Sequence, residues 1–255
     1  MNIEVEAIQA FTDNYIWALH DGRACVLVDP GDADGPLRFL RRRGLELAGL
    51  LLTHHHRDHV GGVDAIRFRH PAPAWGPADR RMPRDVGTVA DGDRVRIEAL
   101  DLAFDVLETP GHTRSHISFH GHGMLFCGDT LFSVGCGRVF EGDAEQMQAS
   151  LDKLAGLPDD TRVYCAHEYT RANCRFALQV EPDNAALKAR CDEVDRLRDA
   201  GAITLPSRLG DEKACNPFLR TRREGVVRAA AARDPGAGSS PSEVFGVIRS
   251  WKDAG

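Results

Sequence analysis

No two of the seven cysteines are spaced C-x-x-C, and an odd number cannot all be bridged within one chain. A fully bridged disulfide framework is therefore not expected, and a reduced, cytoplasmic setting is the simplest expectation. No apolar run approaches the ~20 residues needed to cross a bilayer. The opening MNIEVEAIQAF lacks a basic stretch followed by an apolar core, so neither a membrane association nor a signal peptide is expected. A basic excess is missing too: 32 Lys+Arg against 38 Asp+Glu leave a net charge of −6 and a pI near 6.0. That argues against a nucleic-acid partner. There is no internal repeat, and the one biased stretch is the short Asp234–Pro241. No G-x-S-x-G elbow offers a serine nucleophile.

What is present is a chain of 255 residues, 42% hydrophobic and 27% charged, with 25 glycines and 13 prolines. It can bury a sizeable core, as one large domain or as a domain with a smaller companion. Charge is uneven: Thr170–Gly255 carries 15 basic and 12 acidic residues, +3, leaving −9 before it. Ordinary surface variation explains that; a tail holding a small anionic substrate needs other support.

Short apolar runs recur between turn signals. Ala24–Val28 stops at Asp29-Pro30-Gly31, Leu47–Thr53 runs into a histidine cluster, and Leu102–Leu107 precedes Thr109-Pro110-Gly111-His112. Met124–Cys127 ends at Gly128-Asp129, and Arg162–Ala166 ends at His167. These read as strands, several buried on both faces. Helical periodicity marks Pro36–Arg43, roughly Val60–Arg69, and Ala144–Leu154. The class is α/β. From about Thr170 the pattern turns helical: Ala172–Val180, then Ala185–Ala200 entered through Pro182-Asp183-Asn184, then a last helix with Val244, Val247, Ile248 and Trp251 on one face. A boundary near residue 168 gives domains 1–168 and 169–255.

Nearly every unusual polar residue falls just after a strand, where a rigid element delivers side chains to an open edge. Thr53-His54-His55-His56-Arg57-Asp58-His59 is the most informative stretch. In extended backbone His54 and His56 point one way and His55 the other. With Asp58 and His59 following at the turn, these donors suit one divalent metal or two neighbouring ones. An expression-tag remnant would be terminal and would lack the aspartate. His112, Asp129 and His167 share the strand-end position, and each alone would read as structural. Together the seven donors exceed the roughly four of a closed structural zinc, which favours two metals with a bridging carboxylate.

The pattern T-H-x-H-x-D-H, then G-H-T, then G-D-T, then a late histidine resembles that of the metallo-β-lactamase superfamily. The resemblance implies an αββα sandwich of two mixed sheets covered by helices. It also implies that His54, His56 and His112 bind a first metal, that Asp58, His59 and His167 bind a second, and that Asp129 bridges them. Gly135-Cys136-Gly137-Arg138-Val139-Phe140-Glu141-Gly142, His167-Glu168-Tyr169-Thr170, Asn216-Pro217-Phe218 and Arg249-Ser250-Trp251-Lys252-Asp253 resemble signatures of the glyoxalase II, or hydroxyacylglutathione hydrolase, family. With Phe11-Thr12-Asp13-Asn14-Tyr15 near the start, the resemblance spans essentially the whole chain.

That family cleaves the thioester S-D-lactoylglutathione to D-lactate and glutathione, a step of methylglyoxal detoxification. The resemblance implies attack by a metal-bridging hydroxide, existing near neutral pH because the cations lower the pKa of water, with the oxyanion stabilised by the same charges. Asp58 is given a second, catalytic role in orienting the attacking group. The expected metals are two divalent ions, zinc in the first place, with iron or manganese also suited to imidazole and carboxylate. Glutathione is anionic, so its site should carry cations. Arg138, Tyr169, Arg249 and Lys252 are the candidates by motif position, in a helical substrate-binding C-terminal domain, with Phe140 lining the pocket. Some family members carry Lys and Tyr where Arg138 and Phe140 stand, so Phe140 offers no hydroxyl. On the residues alone, Arg249 and Lys252 would be a solvated helix face. Asp29 reads equally as a ligand-orienting group or a turn cap. His20, His55, His70, His116, His120 and His122 read as structural or surface residues, and the cysteines as packing residues.

The competing reading on this fold is hydrolysis of another thioester, a lactone or a β-lactam. Nuclease relatives usually carry an inserted domain, and oxygen-reducing ones place Glu where His56 stands. A non-catalytic metal-binding protein would be expected to have lost ligands. The small-molecule thioester is the one partner expected, and the chain is expected to be a monomer.

Overall fold

Apolar runs that stop at Asp-Pro-Gly, Gly-Asp or a histidine do become strands, as the computed structural model shows; it describes residues 3–255. Backbone contacts divide the chain into two units. The first is the stretch ending at Glu108 together with Ser115–Gly128, and the second is Thr109–Arg114 with Asp129–Gly255.

In the first unit, β1 (Glu4–Ala10), β2 (Asn14–His20) and β3 (Ala24–Val28) form an antiparallel meander. Helix α1 (Asp34–Arg43) then returns the chain so that β4 (Glu46–Leu51) lies parallel to β3. Helices α2 (Arg57–Val60) and α3 (Val63–Arg69) precede β5 (Ala74–Gly76) and β6 (Gly87–Thr88), which extend the same sheet in parallel. The result is a six-stranded mixed sheet in sequential order. Strands β7 (Arg94–Ile97), β8 (Leu102–Glu108), β9 (Ile117–Gly121) and β10 (Met124–Phe126) form antiparallel neighbours in a second sheet. All five residues of β3 are buried, as a strand covered on both faces requires. Phe39 and Leu40 of α1 and Val63 and Ile66 of α3 pack with Ile16, Leu27 and Leu50 of the sheet.

The helix expected at Val60–Arg69 is broken in two at Gly61-Gly62. A Cβ on Gly62 would lie 2.4 Å from the backbone of Asp32, and one on Gly61 would lie 2.8 Å from the carbonyl of Gly31. The glycines let this break press against the loop that leaves β3. Periodicity alone cannot register that tertiary demand.

In the second unit, β11 (Leu131–Phe132) and β12 (Gly135–Cys136) make a small hairpin. Helix α4 (Ala144–Ala155) follows, its first turn capped by Asp143 accepting from the Gln146 amide. Strand β13 (Arg162–Tyr164) pairs with β14 (Ser207–Arg208). Between them run α5 (Thr170–Val180) and α6 (Ala185–Asp199), and Asn184 caps α6 by accepting from the Leu187 amide. Helices α7 (Leu209–Cys215), α8 (Glu224–Arg233) and α9 (Pro241–Ala254) complete the unit. Ser240 and Glu243 form a reciprocal capping box on α9. Phe218 and Phe245, both fully buried, pack with Phe176 and Trp251 into one aromatic core, Phe176 stacked on Phe218 and the other two rings edge-on.

Candidate active site

The first unit builds its half of the donor set on two parallel strands. Asp29 leaves β3 in a left-handed conformation (φ 50°) with its carboxylate buried. One oxygen accepts from the Thr53 amide at 2.7 Å, and the other from the Thr53 hydroxyl at 2.6 Å and from His59 Nδ1 at 3.0 Å. Asp29 thereby orients the His59 ring and ties Thr53 to the end of β3. Because the Thr53 hydroxyl proton is committed to Asp29, its oxygen accepts from His54 Nδ1 at 3.1 Å. Both imidazoles are thereby fixed as the tautomer whose lone pair is on Nε2, the form a metal ion needs.

His56 sits in extended backbone at the mouth of α2, and that single turn presents Asp58 and His59. Ring centroids of His54 lie 4.7 Å from those of His56 and 4.1 Å from those of His59. Asn14 Nδ2 donates to Asp58 Oδ2 at 3.0 Å, and that oxygen lies 3.5 Å from His59 Nε2. Carboxylate oxygen and unprotonated imidazole nitrogen are both acceptors, and facing each other at that range they call for a cation or a proton between them. His55 points elsewhere, 3.6 Å from Asp79. The Asp79 carboxyl is held well below the usual range by the Arg81 guanidinium and also accepts from Ser115. His116, fully buried, stacks on the His54 ring at 4.8 Å.

The second unit supplies His112, Asp129 and His167, each three or four residues beyond the preceding strand in sequence. His112 Nδ1 donates to the Arg138 carbonyl at 2.8 Å, which again leaves the lone pair on Nε2. That nitrogen lies 3.4 Å from one Asp129 oxygen, and His167 Nε2 lies 3.4 Å from the other. One carboxylate thus faces an imidazole with each oxygen. By donor chemistry and tautomer, the set in each unit fits divalent metal ions. A third convergence, Glu4, Glu6 and His20, is different: Glu6 already accepts from His20 at 2.9 Å and pairs with Arg43.

A cavity of about 490 Å³ opens in the second unit, and Arg138, Phe140, Tyr169, Arg249 and Lys252 all line it together with His112 and Asp129. Tyr169 lies flat on the His167 ring at 4.7 Å. Phe140 leans on His112 at 5.2 Å and is 62% exposed, an apolar wall without a donor. Arg249 is buried, not solvated: its Nη1 donates to the Cys136 carbonyl at 3.0 Å and its Nη2 to Asp253 at 2.9 Å. Asp253 also pairs with the exposed Arg138 at 3.3 Å. Burial, reinforced by the Arg249 charge, lowers the Lys252 ammonium to about 8, and its Nζ donates to Asn173 Oδ1. A larger and more open cleft of about 750 Å³, walled by Asp143, Glu145, Arg233 and Trp251 among others, holds none of the expected site residues.

Sequence reasoning missed Phe132 and Asn173 as lining residues, and Asn14 as the partner of Asp58. Asn173 was within reach, because it follows Tyr169 by four residues and so shares its side of α5.

Two family models match consecutive parts of the chain: the metallo-beta-lactamase superfamily over residues 11–167 and the hydroxyacylglutathione hydrolase C-terminus over 168–255. Curated relatives named hydroxyacylglutathione hydrolase include that of Xanthomonas euvesicatoria pv. vesicatoria, 53% identical with 97% of each chain covered. That of Aeromonas salmonicida is 51% identical with 98% of each covered. Among solved structures, ETHE1 from Myxococcus xanthus superposes with a TM-score of 0.66 over all of both chains at 26% identity. TTHA1623 in a di-iron-bound form superposes with a TM-score of 0.55 at 27% identity, over 64% of this chain and 91% of that one.

Proposed function

Because the chain belongs to the metallo-β-lactamase superfamily and, within it, to the hydroxyacylglutathione hydrolases, we propose that its seven donors hold two divalent metals for thioester hydrolysis. The enzyme is a thioester hydrolase that converts S-D-lactoylglutathione to D-lactate and glutathione. His54, His56 and His112 are assigned to one metal, Asp58, His59 and His167 to the other, and Asp129 to both. Zinc is the first expectation, with iron or manganese the alternatives. When bound, the metals supply Lewis acidity that activates water and polarises the carbonyl.

The chain's own residues do the rest. Asp58, steadied by the Asn14 amide, orients the attacking water. Arg138, Arg249 and Lys252 draw the carboxylates of glutathione into the cavity, and Phe140 and Tyr169 wall it with ring surface. A thiolate leaves readily, so no strong general acid is required. Residues 1–168 are read as the catalytic domain and 169–255 as the substrate-binding domain, a division supported by the spans of the two family models. Seven free, buried cysteines support a cytoplasmic setting. The same reading takes the chain as a monomer, which light scattering tests.

The observation that carries this reading is the 490 Å³ cavity, where three cations sit beside His112 and Asp129. The test is turnover of S-D-lactoylglutathione before and after chelation, with metal content measured on the same sample. Chelator-sensitive turnover with close to two metals per chain is expected. Metals without turnover would keep the metal site and reject this substrate in favour of another thioester or a lactone.

A further inference from the structure

The β11–β12 hairpin is held from behind by side chains that touch no reacting atom. Its two-residue turn is Ser133-Val134, and Val134 stands at φ 57°. For a β-branched residue the left-handed region is a strained conformation that persists only where the surroundings impose it. Here they do. Glu212 of α7, fully buried, accepts from the Val134 amide at 2.7 Å. Asn216 donates to the carbonyls of Phe132 and Gly135 at 3.1 and 2.9 Å and to the same Glu212 oxygen at 3.2 Å. Asn173 donates to the Ser133 carbonyl at 2.9 Å.

The hairpin in turn shapes the cavity. Phe132 packs its ring against Tyr169 at 5.3 Å and His167 at 5.7 Å, and the Cys136 carbonyl takes the Arg249 guanidinium. Asn173, which grips the turn through its amide nitrogen, also accepts from Lys252 through its oxygen.

We propose that Glu212, with Asn216, is a positioning residue for substrate binding: it holds Val134 in its strained conformation and so sets the cavity wall against which Arg249 and Lys252 are aligned. A buried carboxylate is a costly group to keep for packing alone. One of its oxygens accepts from the strained amide and from the side chain that clamps the two flanking carbonyls, and the Ser133 and Ser207 hydroxyls also hold the group. The proposal rests on the reading of this cavity as the glutathione-thioester site.

The experiment is a two-by-two set, Glu212→Ala and Val134→Gly singly and together, measured for kcat, KM, metal content and calorimetric affinity for glutathione. Wild-type turnover of S-D-lactoylglutathione is the control, and its absence would overturn the functional reading, not this one. With that control in hand, Glu212→Ala is expected to raise KM and weaken glutathione binding on the order of tenfold, with kcat and metal content little changed. Glycine adopts the left-handed conformation at little cost, so Val134→Gly should bind like wild type and should restore most of the affinity lost in Glu212→Ala. Glu212→Gln, which keeps the acceptor, should behave like wild type. A folded Glu212→Ala with unchanged KM and glutathione affinity would overturn the proposal. So would a double variant no better than Glu212→Ala, because a purely structural glutamate would not be relieved by glycine at 134. Should Glu212→Ala fail to fold, Glu212→Gln and Glu212→Gln/Asn216→Ala replace it, and loss of glutathione affinity in the latter alone is the supporting result.

Discussion

Asp29 satisfies three donors at once: the Thr53 amide, the Thr53 hydroxyl and His59 Nδ1. Replacing it with alanine strands all three in a buried site, and each orphaned group costs about 1–3 kcal/mol. Asp29→Ala should therefore lower the denaturation midpoint clearly and weaken metal affinity about 10–100-fold, as loss of an outer partner of a ligating histidine does. Equilibrium dialysis against a metal buffer checks it, and unchanged affinity would make Asp29 a turn residue only. His54→Ala should lose metal and activity while keeping the fold, read by metal analysis and circular dichroism. Lys252 titrates near 8, chiefly because burial disfavours its charged form and secondarily because Arg249 repels it. The ammonium proposed to attract a substrate carboxylate is thus present below about 8 and lost above it. KM should rise as pH climbs through that range, and Lys252→Met should remove the limb. A KM as steeply pH-dependent in the variant would detach the effect from Lys252.

At the scale of elements, the working parts are loops pinned to strand ends. Gly31, just past β3, lies so close to the donor loop that a Cβ would fall 1.7 Å from the Asp58 carbonyl oxygen. Gly31→Ala must displace α2, so metal occupancy should fall even if the protein remains folded, as metal analysis of the soluble fraction would show. Much of this was legible beforehand, and for physical reasons. Strands β3 and β10 announce themselves as apolar runs cut off by Asp-Pro-Gly and Gly-Asp. Met147, Leu151 and Leu154 of α4 are buried as their spacing demands. The ligand types cluster because metal chemistry draws on few side chains. Strand β2 was not legible: it is buried along its whole length and carries Asn14 and His20 inside, so it lacks alternation. The β11–β12 hairpin was hidden as well, since a turn through Val134 has no glycine signal and depends on Glu212, 78 positions away. Asn14 and Asn173 carry no chemical signature, and their roles come only from where the fold delivers them.

For the molecule as a whole, the seven thiols make a sharp expectation. All are buried, and burial pushes the thiols of Cys25, Cys136, Cys165 and Cys215 up, whereas the hydrogen bond with Cys174 lowers that of Cys191, so it is lack of access that shields the set. The native protein should resist a thiol reagent that labels all seven in denaturant, and activity should not depend on added reductant. Rapid native labelling with loss of activity would show a reactive cysteine among them. The arrangement along the chain has one more consequence. All seven assigned metal donors lie before Glu168, whereas Arg249 and Lys252 lie on α9. Synthesis therefore makes the proposed hydrolytic set before the two cations of α9 proposed to hold glutathione. A nascent chain that stalls between them carries every assigned metal donor and Arg138 but neither Arg249 nor Lys252, so the proposed thioester pocket is still incomplete when the proposed metal set is already made.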